Sequence, residues 1–258
     1  MVGLVRKVLL AVLATLIVDT EGRSSACAEG EAGLPRPDAE GFIAIFNGRD
    51  LTGWEGLPEY WSVKDGAISG HESEDASKQT FLVFTHAKIR DFELRLKYKF
   101  STPRGNSGVQ FRSRVLDPVK WIVGGYQADM DAEGNLDGSI YDEAGTAGNR
   151  GPMSQQGKRT IWDSGNARRE EPLAEDAGDL KKAIKVGDWN NFSITAEGDR
   201  IVYAINGRVM TELIDDSRHA LREGVLALQL HQGFTMEVLF KDLRLRLIGE
   251  NSRVNPAH

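Results

Sequence analysis

A chain of 258 residues, 40% hydrophobic and 27% charged, is long enough to bury a substantial core within one domain. Its 38 acidic residues outnumber 32 basic ones, which argues against nucleic acid or an anionic membrane as the main partner. A single cysteine excludes a disulfide framework within the chain, so stability has to come from packing.

In chain order, the first segment is a targeting signal. MVGLVRK supplies positive charge, Val8 to Val18 is an apolar run too short to cross a bilayer comfortably, and Ala26-Cys27-Ala28 offers a small-residue cleavage site. Residues 1–28 therefore read as a secretory signal peptide, and the mature chain is expected to be secreted or periplasmic, with no membrane insertion after cleavage. EGEAGLPRPDAE, residues 29–40, is a flexible leader, residues 41–248 are the ordered domain, and residues 249–258 are a C-terminal tail.

Strand signals dominate the domain. WSVKDGAISG carries Asp65-Gly66 between two short β-prone runs, a two-residue hairpin cue. In FELRLKYKF, Phe92, Leu94, Leu96, Tyr98 and Phe100 alternate with charged residues, the pattern of a half-buried antiparallel strand. Further strands are expected in SGVQFRSRV, GGYQADMD, GSIYDEA, NNFSITAEGDRIVYAING, VLALQLHQ and MEVLFKDLRLRLI. Only Leu173 to Ile184 reads as helix, and Gly145 to Asp188 otherwise reads as a long loop with RTIW as its one strand signal. The pattern predicts an all-β, two-sheet antiparallel sandwich.

Several of these strands share an unusual polar face. Because side chains alternate along a strand, Gln229 and His231 face away from Leu226, Leu228 and Leu230. The same alternation sets Gln110, Arg112 and Arg114 together, Gln127 with Asp129, and Tyr141 with Glu143. Gln, Asp, His, Arg and Tyr in one set are the groups that hydrogen-bond a sugar or act on it, whereas a plain solvated face looks like Glu93, Arg95, Lys97 and Lys99. Zinc and EF-hand spacings, a G-x-S-x-G elbow, a dinucleotide fingerprint and a P-loop are all absent from the sequence. No cofactor is required by any motif, and a divalent metal ion is the one that the residues leave open.

GFIAIFNGRDLTGWEG, WSVKDGAISG, FELRLKYKF, NSGVQFRSRV, GGYQADMD, GSIYDE, WNNFSITAEGDRIVYAING, GVLALQLHQG and FKDLRLRLI, in that order, resemble the landmarks of the 3-keto-disaccharide hydrolase domain. That family is also described as 3-keto-α-glucoside 1,2-lyases and 3-keto-2-hydroxy-glucal hydratases. The resemblance implies a concanavalin A-like jelly roll and a carbohydrate substrate already oxidised at C3, and it carries over to Asn106, Ser107, Gly108, Arg112, Gln127, Asp129, Tyr141, Gln229 and His231. Gly125 stands where the commoner form of the domain has a glutamate two residues before its glutamine.

A ketone at C3 acidifies the C2 proton, so a base can start an elimination of the C1 oxygen, and water can then add to the unsaturated sugar. Such chemistry requires a base, a stabiliser of the enediolate oxygen and an acid for the leaving group. The expected roles are His231 as base, Arg112 and Gln127 at the oxyanion, Asp129 orienting His231 or a divalent metal, and Tyr141 as acid, with Gln110, Gln229, Asn106, Ser107 and Glu143 binding substrate. Two other readings stay open: a carbohydrate-binding module of the same fold without catalysis, and an ordinary glycosidase using Asp129 and Glu143 as its carboxyl pair. Oligomeric state is not legible in the sequence.

Overall fold

The computed structural model describes residues 34–72 and 79–249; the signal-peptide reading of residues 1–28 lies outside the described residues. In chain order the strands are β1 (Ile43–Ala44), β2 (Trp54–Glu55), β3 (Trp61–Lys64), β4 (Ala67–Glu72), β5 (Thr80–Phe84), β6 (Phe92–Phe100), β7 (Asn106–Asp117), β8 (Ile122–Asp131), β9 (Ile140–Glu143), β10 (Pro152–Ser154), β11 (Lys158–Trp162) and β12 (Arg168–Pro172). A short helix α1 (Ala177–Lys181) precedes β13 (Asn190–Glu197), β14 (Arg200–Ile205), β15 (Arg208–Asp215), β16 (Val225–Leu230) and β17 (Met236–Leu247).

Two sheets form a concanavalin A-like jelly-roll sandwich. The ten-stranded sheet runs β12-β11-β15-β14-β13-β6-β17-β4-β3 with β1 added beside β17, and the seven-stranded sheet runs β10-β9-β8-β7-β16-β5-β2. Pairing is antiparallel except between β11 and β15. Between the sheets lie Leu94, Leu96, Tyr98 and Phe100 from β6, Phe111 from β7, Tyr126, Ala128 and Met130 from β8, and Leu226, Leu228 and Leu230 from β16. Each of the large apolar side chains among them contributes about 1.5–3 kcal/mol on burial, which fixes the register of every strand that carries them.

The stretch from Gly145 to Asp188 is built into the sheets. β10 extends the seven-stranded sheet beside β9, while β11 and β12 form the far edge of the other. Its arginines are engaged within that edge: Arg150 pairs with Asp215, Arg159 with Glu212, Arg168 with Glu170 and Arg169 with Glu171. The helix expected over Leu173 to Ile184 is shorter, because the Leu173 N–H is taken by the Gly157 carbonyl and the Asp176 side chain caps the helix by accepting from Gly178 N–H.

One irregularity decides how the site is built. Between Phe111 and Arg114, β7 advances three residues while β8 advances two, from Tyr126 to Gly124. The extra residue is a β-bulge, and Arg112 sits in it at φ +50°. Glycines flank the bulge on both sides, Gly125 within β8 and Gly224 immediately before β16. A Cβ on Gly125, at φ +152°, would lie 2.2 Å from Ser113 Oγ, and one on Gly224 would lie 2.2 Å from the Ser113 carbonyl oxygen. Only a residue without a side chain tolerates that approach.

The outer face of the seven-stranded sheet is divided in two. The connection between β7 and β8 folds back across it, so that the Trp121 carbonyl accepts from Phe81 N–H at 3.0 Å and Lys120 O accepts from Thr80 Oγ1. Val115 and Trp121 thereby cover an apolar patch of Phe81, Val83, Val123, Val225 and Ala227. The other half stays open and polar. No helix among the described residues is long and apolar enough to cross a membrane.

Candidate active site

A cavity of about 360 Å³ opens on that polar half. β7 supplies Asn106, β8 supplies Gln127 and Asp129, β9 supplies Ile140, Tyr141 and Glu143, and His231 comes from the turn after β16. Leu136, Ser139, Pro152 and Gln155 complete the wall. Strand alternation explains the set: Gln127 is cross-strand to both Gln110 and Tyr141, and Gly108 is cross-strand to Asp129, so these positions share a face.

Beneath the lining runs a chain of buried hydrogen bonds. Ser113 Oγ donates to Gln110 Oε1 at 2.6 Å, and Gln110 Nε2 donates to Gln127 Oε1 at 2.8 Å. Gln127 Nε2 then donates to Asp129 Oδ1 at 2.8 Å and to Gln229 Oε1 at 3.2 Å. Gln110 and Gln229, expected to bind substrate, are wholly buried behind this lining and are not part of the cavity wall.

Asp129 is the most perturbed of the cavity's acids. Burial pushes its carboxyl up to about 8, against the Gln127 hydrogen bond, and the negative charges of Glu143, Asp137 and Asp131 add to the rise. Near neutral pH it is therefore a carboxylic acid, able to donate a hydrogen bond. Asp137, just behind it, is raised to about 7, first by burial, while the Asp131 N–H and the Tyr98 hydroxyl oppose the shift. Glu143 is held differently, accepting from Gln79 Nε2 at 2.8 Å.

His231 is oriented by the chain's own backbone. Its Nδ1 lies 2.6 Å from the Gln232 carbonyl oxygen, which can only accept, so the neutral ring carries its proton on Nδ1 and leaves the Nε2 lone pair free. Asp129 does not take part in that hydrogen bond. Tyr141, 37% exposed, stands at the cavity's mouth.

Two further expected site residues lie elsewhere, away from the cavity. Arg112 is 1% exposed, and its guanidinium donates to Asp91 Oδ1 at 2.8 Å and to the carbonyls of Arg90, Gly198 and Leu221. The bulge breaks the alternation after Gln110, so that Ser113, not Arg112, continues the polar face. Ser107 is buried on the core side, cross-strand to Met130, and donates to the Gln229 carbonyl at 2.6 Å. Its role is to hold β7 to β16.

Sequence reasoning missed Gln79, Ser139, Pro152 and Gln155. Gln79 was legible, since the alternation Gln79, Phe81, Val83 sets it on the outer face; Pro152 and Gln155 belong to a strand region without a β-prone run. Among the described residues no group of three His, Cys, Asp or Glu side chains is placed to hold a metal ion.

A larger hollow of about 590 Å³ lies on the outer face of the ten-stranded sheet, lined among others by Arg95, Lys97, Ser193, Asp242 and Arg244. Its charges are spent on one another and on neighbours, with Lys97 on Asp242, Arg95 on Glu93 and Arg244 on Asp38. It offers no histidine or tyrosine. The smaller cavity is the one that gathers histidine, tyrosine and carboxyl side chains.

The model of the 3-keto-alpha-glucoside-1,2-lyase-like domain matches residues 41–246. A Bacteroides thetaiotaomicron protein named 3-keto-disaccharide hydrolase is 26% identical, over 82% of this chain and 80% of its own. Among solved structures, a Parabacteroides distasonis protein designated a candidate glycosyl hydrolase superposes with a TM-score of 0.52 at 17% identity, covering 82% of this chain and 95% of the other. A carbohydrate-binding module from Bacillus subtilis gives 0.49 at 18% identity, over 76% and 96% of the two chains.

Proposed function

Because the chain belongs to the 3-keto-alpha-glucoside-1,2-lyase-like family of carbohydrate-active domains, we propose that it cleaves 3-keto-glycosides by elimination and hydrates the unsaturated product. His231 Nε2 takes the C2 proton, and the electron pair passes to the C3 oxygen as an enediolate. Neutral Asp129 faces that oxygen as a hydrogen-bond donor; the Gln127 amide, whose two N–H groups are already given to Asp129 and Gln229, holds the acid in place and does not donate to the oxyanion. Return of the electron pair forms the C1–C2 double bond as the C1–O bond breaks, and Tyr141 gives the departing oxygen its proton. Addition of water across that double bond, hydroxyl to C1 and proton to C2, yields the free 3-keto sugar.

The observation that carries this reading is the convergence of His231, Asp129, Gln127, Glu143 and Tyr141 on one cavity without an arginine or lysine in its lining. A neutral, ketone-bearing sugar suits such a wall better than an anionic one. The targeting reading of residues 1–28 adds a secreted or periplasmic location, which N-terminal sequencing of the exported protein checks.

The deciding experiment incubates purified protein with a chromogenic 3-keto-glucoside and with its unoxidised parent, in deuterated water. Turnover of the keto compound alone, with deuterium entering at C2, is expected. Turnover of the parent favours an ordinary glycosidase built on Asp129 and Glu143, and binding of either without turnover favours a carbohydrate-binding module.

A further inference from the structure

We infer that Gln110 is a positioning residue for Asp129: it acts through Gln127 to keep one carboxyl oxygen an acceptor and leave the other to face a ligand. The inference rests on hydrogen-bond direction. A primary amide donates only through nitrogen and accepts only through oxygen, so once one amide is fixed its neighbour is fixed as well. Gln127 Oε1 is taken by Gln110 Nε2, and Gln110 Oε1 is in turn taken by the Ser113 hydroxyl. Gln127 therefore has only its nitrogen to offer Asp129 Oδ1.

A neutral Asp129 held in this way carries its proton on Oδ2, the oxygen that Gln127 does not touch. Were Gln127 turned over, its Oε1 would instead accept that proton, and the acid would be spent inside the protein. The reversed chain is also physically available. Ser113 Oγ lies 3.0 Å from the Phe111 carbonyl and 3.4 Å from that of Tyr126, either of which would accept its proton if Gln110 turned over too. Gln229 does not lock the direction, because its Nε2 is buried without a partner in the chain as it stands. The lock is the pair Ser113 and Gln110, on either side of the bulge that Gly125 and Gly224 permit.

Other charged and titratable groups also bear on Asp129. Glu143 on β9, Asp131 on β8, Asp137 in the turn between those strands, Tyr141 on β9 and His231 after β16 face it or lie close by. Among the described residues Gln110 hydrogen-bonds to none of these, only to Gln127 and Ser113. An effect of Gln110 on Asp129 thus has one route.

The functional weight of this chain rests on Asp129 acting as proposed above, but the inference is read without substrate. The full chain is labelled with 13C at the aspartate carboxyl carbons, and the Asp129 signal, assigned by its loss in Asp129→Asn, is followed against pH. Gln110→Leu frees Gln127 to turn its oxygen to the protonated acid, so the Asp129 midpoint is expected to rise by about one pH unit, the size of one hydrogen bond to a carboxyl group. Ser113→Ala removes the earlier link and is expected to move it the same way by less. A role confined to packing lowers the melting temperature and leaves the midpoint in place. An unchanged or lowered midpoint in folded Gln110→Leu overturns the inference; if that variant does not fold, the same result in Ser113→Ala does so. Absence of keto-glycoside turnover in the wild-type protein counts against the proposed function and leaves the titration result standing.

Discussion

Arg112 Nη2 and Asp91 Oδ1 meet at 2.8 Å, with the arginine side chain 1% exposed, so that an arginine from the middle of β7 ties the β7 bulge to the turn before β6. The same guanidinium satisfies the Arg90 carbonyl at 2.7 Å and the Gly198 carbonyl at 2.8 Å. It neutralises a half-buried carboxylate and caps loops from three parts of the chain. None of these contacts reaches the cavity.

Replacing Arg112 with Met should therefore damage the fold and spare the chemistry. Removing one partner of a buried ion pair costs about 3–5 kcal/mol, because the other charge and its carbonyl neighbours lose their donor. Urea unfolding should report a loss of that order, while kcat on a 3-keto-glucoside, per folded molecule, stays within about twofold of the parent. A selective collapse of kcat with stability intact would return Arg112 to the mechanism.

His231 should behave in the opposite way. It is partly exposed at the end of β16, and the side-chain hydrogen bond it donates goes to its own loop, so His231→Ala removes no structural tie between strands. Loss of a general base typically lowers the rate about 10²–10⁴-fold. The measurement is kcat for keto-glycoside cleavage together with C2 deuterium exchange, and both should fall together. An unchanged exchange rate would assign proton abstraction to another group.

Asp129 links stability to pH, and the sign follows from its raised pKa. The unfolded chain releases this proton near pH ~3.9, whereas the native chain holds it to about 8. Between those values the native state binds more protons than the unfolded state, so stability is fully present below about 4 and declines as pH rises toward 8. Asp137, raised to about 7, acts in the same direction over most of that window. Asp129→Asn keeps an oxygen to accept from Gln127 and loses the titration, so the variant should gain melting temperature relative to wild type as pH moves from 5 to 8. A constant difference across that range would mean that the native carboxyl is already ionised.

Much of this architecture is written in alternation. FELRLKYKF is β6, Phe92 to Phe100, residue for residue, and Asp65-Gly66 joins β3 to β4 with positive φ at both turn residues. The three leucines of β16 face the core as their spacing requires, and Gln229 lies on the opposite face. What alternation could not supply was the bulge at Arg112, because one extra residue reverses every side chain beyond it and leaves no mark in composition. β12, RREEP, escaped for a different reason: an exposed edge strand buries no apolar side chain, so no hydrophobic period announces it. The glutamines at 110, 127 and 229 were legible because Gln recurs on the outer face of neighbouring strands, unlike the Lys and Glu of a plain solvated face, whereas Gln155 was missed because its neighbours spell no strand.

Glu143 gives the sharpest electrostatic test of the site. Its charge is among the causes that keep the Asp129 carboxyl protonated, and it lies in the same wall, held by Gln79. Glu143→Gln preserves size and an oxygen for Gln79 to donate to, while deleting the charge. Asp129 then ionises more readily, and its midpoint should drop below about 8. In the proposed mechanism it is neutral Asp129 that donates to the enediolate, so the alkaline limb of the kcat profile should shift to lower pH in step, with the acidic limb unmoved. Carboxyl titration and kinetics must agree for the assignment to hold: a midpoint that falls while the alkaline limb stays in place would show that some other group sets that limb, and that Asp129 is not the donor.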